Sequence, residues 1–147
     1  NLSEKEIMGI DKSLMGGAKF RNGFEYTIPS QSLRESLFRI KDKDLERAGD
    51  VYSFYNDLKN SIKAVSEKTK IGGYHFWVVG NRTVKGELLK TDVIITEIAD
   101  SYGLEHVYTI DRNIINKVMP SLNSPTNESG VKAETMTNEH IVVLRKR

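Results

Sequence analysis

Three polar residues follow the most apolar stretch of the sequence. The stretch Tyr74–Val79 reads YHFWVV, and it passes through Gly80 into Asn81, Arg82 and Lys85. An amide offers two donors and one acceptor, and cationic side chains suit phosphate. In open α/β sheets, ligands bind outside the carboxyl ends of the strands, where these residues fall. We interpret them as a candidate binding loop. The alternative is an ordinary strand-to-helix loop, since Gly-Asn is a common turn pair.

A second group of polar side chains surrounds the turn-rich stretch after Met119. Structureless stretches beyond roughly 12–15 residues in a compact domain are usually functional or disordered. The stretch at 120–138 is rich in side chains that can contact phosphates or base edges. The candidates are Lys117, Asn123, Ser124, Asn127 and Lys132. The alternative for this stretch is an ordinary hairpin tip.

Other chemistry has little support in the sequence. The histidines His75, His106 and His140 lie inside or beside predicted strands, and no pair has metal-ligand spacing. There are no cysteines, which excludes disulfides and cysteine metal sites. No nucleophile elbow, P-loop or complete dinucleotide-binding glycine motif occurs. We therefore assign no catalytic, cofactor-binding or metal-ligating residue.

Hydrophobic periodicity predicts the elements that would position the candidates. Apolar residues recur in three- and four-residue steps from Asp44 to about Lys68, which indicates an amphipathic helix. Residues 1–43 contain scattered glycines and no clean period, so we expect an irregular arm with at best a short helix at 30–40.

The second half of the chain alternates between strand and helix patterns. The continuous apolar run at 74–79 is typical of a strand covered on both faces, as in a parallel sheet. A helix at 91–102 and strands at 104–115 and 140–144 follow. This order predicts an α/β layered domain whose last two strands form an antiparallel pair at one edge.

Length and composition bound the class of protein. A chain of 147 residues with 38% hydrophobic residues can form one domain with one core. A net charge of +2 does not by itself require a nucleic-acid partner. No apolar run approaches the ~20 residues that span a bilayer, and no signal peptide is visible. We expect a cytoplasmic protein without a membrane partner. Because the chain begins with Asn1, we expect a processed product or an excerpt of a longer protein.

The order of these segments resembles the carboxyl-terminal part of restriction-modification DNA methyltransferases. Such enzymes methylate N6 of adenine or N4 of cytosine with S-adenosylmethionine. The resemblance covers roughly residues 44–147, and each motif alone is weak. It is carried by KIGGYHFWVVGNRTVKG, TDVIITEIADSYGLEHVYTIDRNIINKVMPSLNSPTNESG and NEHIVVLRK, with IDKSLMGG resembling the segment after the catalytic loop in one branch.

The resemblance implies a fold class and a domain division. The fold is expected to be α/β, the carboxyl-terminal half of a Rossmann-like methyltransferase sheet with an antiparallel edge hairpin. Residues 1–43 would be an irregular arm or insert, and residues 44–147 the carboxyl-terminal half of the catalytic domain. The strand at 74–79 looks like the family's fifth strand, and the last two look like its sixth and seventh.

The resemblance also implies which functions this chain would supply and which it would lack. The family's Pro-Pro-aromatic catalytic loop and Phe-x-Gly-x-Gly cofactor motif do not occur in this sequence. The intact enzyme would use S-adenosylmethionine, whereas this chain alone is expected to bind no cofactor and to be inactive. By position, we assign Asn81 to one wall of the base pocket and Arg82, Lys85, Lys117 and the loop at 121–132 to the DNA backbone.

Expected partners are double-stranded DNA, the amino-terminal part of the methyltransferase and another copy of this chain, held through an exposed sheet edge. Two other functions remain open at this point. The chain is alternatively a non-catalytic DNA-binding or assembly module that completes a partner methyltransferase chain. The third possibility is a fragment of a small-molecule methyltransferase, which would not be retained on DNA at low salt.

Overall fold

A computed structural model describes residues 3–17, 19–113, 122–123, 133–134 and 138–147. Its elements in chain order are α1 Glu4–Ser13, α2 Gln31–Lys41, α3 Leu45–Lys68, β1 Tyr74–Val79, β2 Arg82–Val84, β3 Glu87–Leu89, α4 Thr91–Asp100, β4 Leu104–Asn113, β5 Leu122–Asn123, β6 Ala133–Glu134 and β7 Asn138–Lys146. The architecture is α/β. Helices α2, α3 and α4 share one apolar core with one face of a three-stranded antiparallel sheet.

Helix α3 is the longest element, and it confirms the helix predicted from Asp44 to about Lys68. Its first turn is capped by the Asp44 carboxylate, which accepts the backbone N–H of Arg47 at 2.9 Å. Such a cap satisfies a donor that the helix itself leaves unpaired. One face of the helix is buried, and its residues are Ala48, Gly49, Val51, Tyr52, Ser53, Tyr55, Leu58, Ile62 and Ser66.

The prediction of an irregular arm at residues 1–43 is wrong at Glu4–Ser13, which form α1. The short helix expected at 30–40 is present as α2, Gln31–Lys41. Ser30 caps α2 by accepting the backbone N–H of Leu33 at 3.1 Å. Leu33, Leu37 and Ile40 then point into the core and are fully buried. This three- and four-residue spacing is the helix signal that the sequence carries at 30–40.

The chain between α1 and α2 crosses α3 at close range. A Cβ atom at Gly49 would lie only 2.2 Å from the backbone oxygen of Phe20. On the same side of α3, the ring of Phe24 stacks on Tyr52 with a centroid distance of 4.3 Å, and Phe20 meets Tyr52 edge-on at 5.0 Å. Gly49 is therefore required inside the helix because two backbones meet there.

The central strand of the sheet is β7, which pairs antiparallel with β1 on one side and β4 on the other. The predicted antiparallel pairing of the last two long strands is thus confirmed. The β4 ladder has one irregularity, between His106 and Tyr108. Within the predicted long loop, β5 and β6 form a short antiparallel ladder.

Strand β1 is covered on one face only, so the prediction of a strand buried on both faces in a parallel sheet is wrong. His75 is buried at 6% exposure, whereas Tyr74, Phe76 and Val78 are 55%, 64% and 57% exposed. The helices lie on the His75 side, and no described element covers the other side. The strand also has no described strand partner on its second edge.

The uncovered side of the sheet forms a continuous apolar surface, which we call the bare face. Residues opposite each other on antiparallel strands share a face. The register therefore places side chains of all three strands together on this face, and they are Phe76, Val78, Tyr108, Ile110, Ile141 and Val143, of which Val143 is itself buried. Contiguous apolar surfaces of this kind mark interaction sites.

The helices of the described part of the chain lack the combination of length and apolarity needed to cross a bilayer.

Replacement of Gly49 by alanine tests the crossing between the arm and α3. Alanine gains about 1 kcal/mol of helix propensity, but it places a Cβ atom against the Phe20 carbonyl, which no side-chain rotation relieves. Since overpacking of this kind typically costs about 1–3 kcal/mol, we expect a net decrease in the free energy of unfolding, measured in urea.

The matched control is Gly9→Ala in α1, where no atom lies within 4 Å of the added Cβ. We expect this variant to be as stable as the wild type or more so. If Gly49→Ala behaves like Gly9→Ala, the close crossing does not exist in solution.

Candidate functional site

The candidate residues lie at the carboxyl end of β1. A short turn joins the end of α3 to the start of β1, so the amino-terminal half of α3 lies beside the opposite end of the strand. The arm and the segment after β1 meet at that same end.

Residues 82–89 form a β-hairpin where the sequence predicted a strand-to-helix loop. Strand β2 pairs antiparallel with β3, and only Lys85 and Gly86 separate the two strands. Both turn residues have positive φ, at 50° and 80°, which is the geometry of a two-residue type I′ hairpin turn. Val84 and Leu89 are buried and anchor the hairpin to the core.

The tip of the hairpin is clamped to the turn between α2 and α3. The Glu87 carboxylate accepts Arg39 Nε at 2.7 Å and Lys43 Nζ at 2.9 Å, and Lys43 also donates to the backbone oxygen of Lys85 at 3.1 Å. The hydrogen bond from Arg39, followed by that from Lys43, holds the pKa of Glu87 below its ordinary value. Lys85 Nζ pairs with the capping carboxylate of Asp44 at 2.9 Å. Lys85 is therefore engaged within the chain.

Asn81 is the centre of a hydrogen-bond network that joins β1, β4, β7 and α4. Its Nδ2 lies 3.1 Å from Nε2 of His140, and its Oδ1 accepts the backbone N–H of Asp92 at 3.4 Å. Nδ1 of His140 lies 2.6 Å from the Asp111 carboxylate. Because Asn81 donates to Nε2 and the carboxylate accepts from Nδ1, the network assigns the proton of a neutral imidazole to Nδ1.

A cleft of about 300 Å³ opens between the arm, α3 and the hairpin. We call it the arginine cleft because three arginines on three different elements line it. Its lining residues are Met15, Gly16, Arg21, Arg47, Asp50, Val51, Phe54, Tyr55, Arg82, Val84 and Leu89. Of the predicted candidates, Arg82 lies on this cleft.

Two sets of hydrogen bonds hold side chains that line the arginine cleft. The Asp50 carboxylate accepts Arg21 Nε at 3.0 Å and Arg47 Nη1 at 3.4 Å. Beneath them, the hydroxyl of the buried Tyr55 lies 2.9 Å from Oγ1 of Thr91, which joins α3 to the first residue of α4. Burial raises the pKa of the Tyr55 hydroxyl, so it remains protonated near neutrality.

The structure brings together only part of the predicted site. Asn81, Arg82 and Lys85 lie just beyond the carboxyl end of β1. Asn123 belongs to the backbone ladder of β5. The remaining candidates lie outside the described residues, and they are Lys117, Ser124, Asn127 and Lys132.

Sequence reasoning missed Arg21 and Arg47. One lies in the arm and the other on the polar face predicted for α3. Nothing in their spacing relates them to Arg82. Only the crossing of the arm over α3 brings Arg21 to the cleft.

Neither a metal ion nor S-adenosylmethionine fits the arginine cleft. Among residues with described positions, no group of three or more potential metal ligands occurs. The arginine cleft has more guanidinium groups than carboxylates, which disfavours the sulfonium and ammonium charges of the cofactor.

Comparison with known proteins relates the chain to a Type II methyltransferase. No family model matches it. Over 97% of its length, the chain is 41% identical to the Type II methyltransferase M.MvaI of Kocuria varians, of which it covers 32%. The chain thus spans about a third of that relative. This match confirms the resemblance drawn from the sequence.

A weaker likeness is to a solved structure from Thermus thermophilus. That protein is named as a candidate DNA modification methylase and was determined with S-adenosyl-L-methionine. The likeness covers 66% of this chain and 38% of the other, with a TM-score of 0.46 and 20% identity. A likeness at this level does not by itself assign a fold.

Replacement of Asn81 by alanine tests the network around His140. The change leaves Nε2 of His140 and the backbone N–H of Asp92 without their partner, and we expect a loss of about 1 kcal/mol in the free energy of unfolding. The ¹⁵N shifts of the His140 ring should show the Nδ1–H tautomer in the wild type and a mixture in the variant. Asn60→Ala, at an exposed position of α3, serves as the control. A ring spectrum that Asn81→Ala leaves unchanged would contradict the network.

The clamp at Glu87 predicts a specific pH dependence of stability. Since the pKa of Glu87 is lowered in the folded state, the contribution is present above the ordinary value of 4.5 and is lost as pH falls through the folded-state value. Glu87→Gln should therefore lower the urea midpoint more at about pH 7 than at about pH 3.5. The control is Glu67→Gln, because Glu67 lies 3.9 Å from Lys63 in an exposed pair. Equal effects of Glu87→Gln at both pH values would disprove the clamp.

Proposed function

We propose that the chain is the carboxyl-terminal part of a site-specific DNA methyltransferase, a modification methylase acting in the cytoplasm. The intact enzyme would transfer a methyl group from S-adenosylmethionine to an exocyclic amino group of a DNA base. The observation that carries this proposal is the 41% identity to a Type II methyltransferase over 97% of the chain. The carboxyl-terminal position is supported by the order of the segments that resemble the family.

In this proposal the chain contributes DNA contacts at the carboxyl end of β1. Arg82 is exposed on the rim of the arginine cleft, where its guanidinium can donate to a phosphate. Lys85 acts indirectly, because its pair with Asp44 holds the hairpin that carries Arg82. Asn81 likewise shapes the pocket wall through its contacts with His140 and Asp92. Lys117, Asn123, Ser124, Asn127 and Lys132 remain candidates for further contacts.

The remainder of the methyltransferase would cover the apolar surface that the chain leaves open. The bare face and the second edge of β1 together offer side chains and backbone hydrogen-bonding groups to a partner. In the intact enzyme, this partner would be the amino-terminal part, which would also supply the catalytic loop and the cofactor site. A chain expressed alone would instead cover these surfaces by pairing with another copy.

A chimera tests the proposed function. The segment of M.MvaI that matches this chain is replaced by the chain, and transfer of labelled methyl groups from S-adenosylmethionine to unmethylated genomic DNA is measured. We expect transfer above the level of M.MvaI with the same segment deleted. A chimera that folds and binds labelled S-adenosylmethionine, yet transfers no methyl group, would overturn the proposal.

Replacement of Arg82 by alanine tests the DNA contact. If the Arg82 guanidinium binds one phosphate, its removal should make the slope of log K against log salt concentration shallower by about 1. Fluorescence anisotropy with a labelled duplex, measured over a range of salt concentrations, gives this slope. Arg145→Ala is the matched control, since Arg145 pairs with Tyr74 at the opposite end of β1 and is half-exposed. An unchanged slope for Arg82→Ala would remove Arg82 from the interface.

A further inference from the structure

We infer that the arginine cleft binds a single nucleotide unit of a nucleic-acid strand. Its phosphate would lie among Arg21, Arg47 and Arg82, and its sugar and base would lie against the apolar floor. This inference rests on the proposed function for the identity of the strand as DNA. It adds a defined subsite and two residues, Arg21 and Arg47, to the contacts.

The size of the cleft suits one nucleotide. Ligand pockets typically range over roughly 300–1,000 Å³, and the volume of about 300 Å³ lies at the lower limit. The three arginines come from the arm, from α3 and from β2, so they surround the cleft. A group bound between them is contacted from several sides, which a flat basic surface does not provide.

The charge of the cleft suits a phosphate. The lining residues include one carboxylate, Asp50, and three guanidinium groups. Arg21 uses Nε and Arg47 uses one terminal nitrogen to bind Asp50. Each guanidinium therefore keeps further N–H donors for a ligand. Asp50 thus fixes the orientation of two arginines without neutralising the site.

The floor of the cleft indicates that the ligand is more than a phosphate. It consists of Val51, Phe54, Val84 and Leu89, and Phe54 remains partly exposed at 38%. An inorganic phosphate gains nothing from apolar surface, whereas a sugar or base does. An exposed aromatic ring next to arginines is also a typical stacking surface for nucleotides.

The test combines two kinds of ligand with substitutions in the cleft. The 147-residue chain is titrated with a labelled DNA strand by anisotropy, and with a nucleoside monophosphate or inorganic phosphate by ¹⁵N NMR. The variants are Arg21→Ala and Arg47→Ala, with Arg145→Ala as the control that removes the same charge elsewhere. The side chains of Arg21 and Arg47 are 52% and 44% exposed, so both variants should fold, which circular dichroism verifies.

We expect Arg21→Ala and Arg47→Ala each to reduce the salt slope of DNA binding by about 1, and Arg145→Ala to leave it unchanged. The nucleotide should shift the backbone resonances of the cleft more than inorganic phosphate does, and Phe54→Ala should remove that difference. If neither Arg21→Ala nor Arg47→Ala changes the salt slope of DNA binding, whereas Arg82→Ala does, the cleft is not a nucleotide site. The proposed function is unaffected by that result. Equal shifts with phosphate and nucleotide would overturn the nucleotide assignment.

The opposite outcome is a chain that binds the nucleotide in the arginine cleft but binds no DNA strand. In that case the subsite is supported as a site for free nucleotides, and the proposed DNA contact fails. Loss of the nucleotide shifts in Arg47→Ala would then verify that the shifts arise in the cleft.

Discussion

The close crossing of two backbones at Gly49 determines the geometry of this end of the molecule. The carbonyl of Phe20 lies where a side chain of residue 49 would begin, so the arm reaches the surface of α3 with nothing between them. On either side of that contact, Gly16 and Arg21 of the arm line the arginine cleft, and the ring of Phe24 stacks on Tyr52. Any side chain at residue 49 would move the arm away and open the arginine cleft.

Apolar packing holds the arm in place, and the arginines remain available for a ligand. Burial of one aromatic ring contributes about 1.5–3 kcal/mol, and an aromatic pair adds about 0.5–1.5 kcal/mol. Tyr52 makes such contacts with Phe20 and Phe24. By contrast, exposed ion pairs such as those of Asp50 with Arg21 and Arg47 contribute about 0–1 kcal/mol. The ion pairs therefore orient guanidinium groups more than they stabilise the fold.

The sequence predicted what depends on local pattern and failed where distant segments meet. The period of α3 and the apolar run of β1 are local signals, and both appear in the structure. The hairpin at Lys85-Gly86 also had a local signal, two residues between short apolar-polar strands, which the strand-to-helix interpretation passed over. Arg21 and Arg47 had none, because their proximity depends on the arm crossing at Gly49. The exposure of Phe76 had no local sequence signal either, because an apolar run does not reveal which face of the strand the rest of the chain covers.

The two open surfaces of the chain lie on opposite sides, so their ligands need not compete. Helices α3 and α4 cover the side of the sheet that carries His75, and the arginine cleft is formed on that side by α3, the arm and the hairpin. The bare face points the other way, with Phe76 and Val78 beside the β7 residues Ile141 and Val143. A partner that covers the apolar side therefore leaves the cleft accessible.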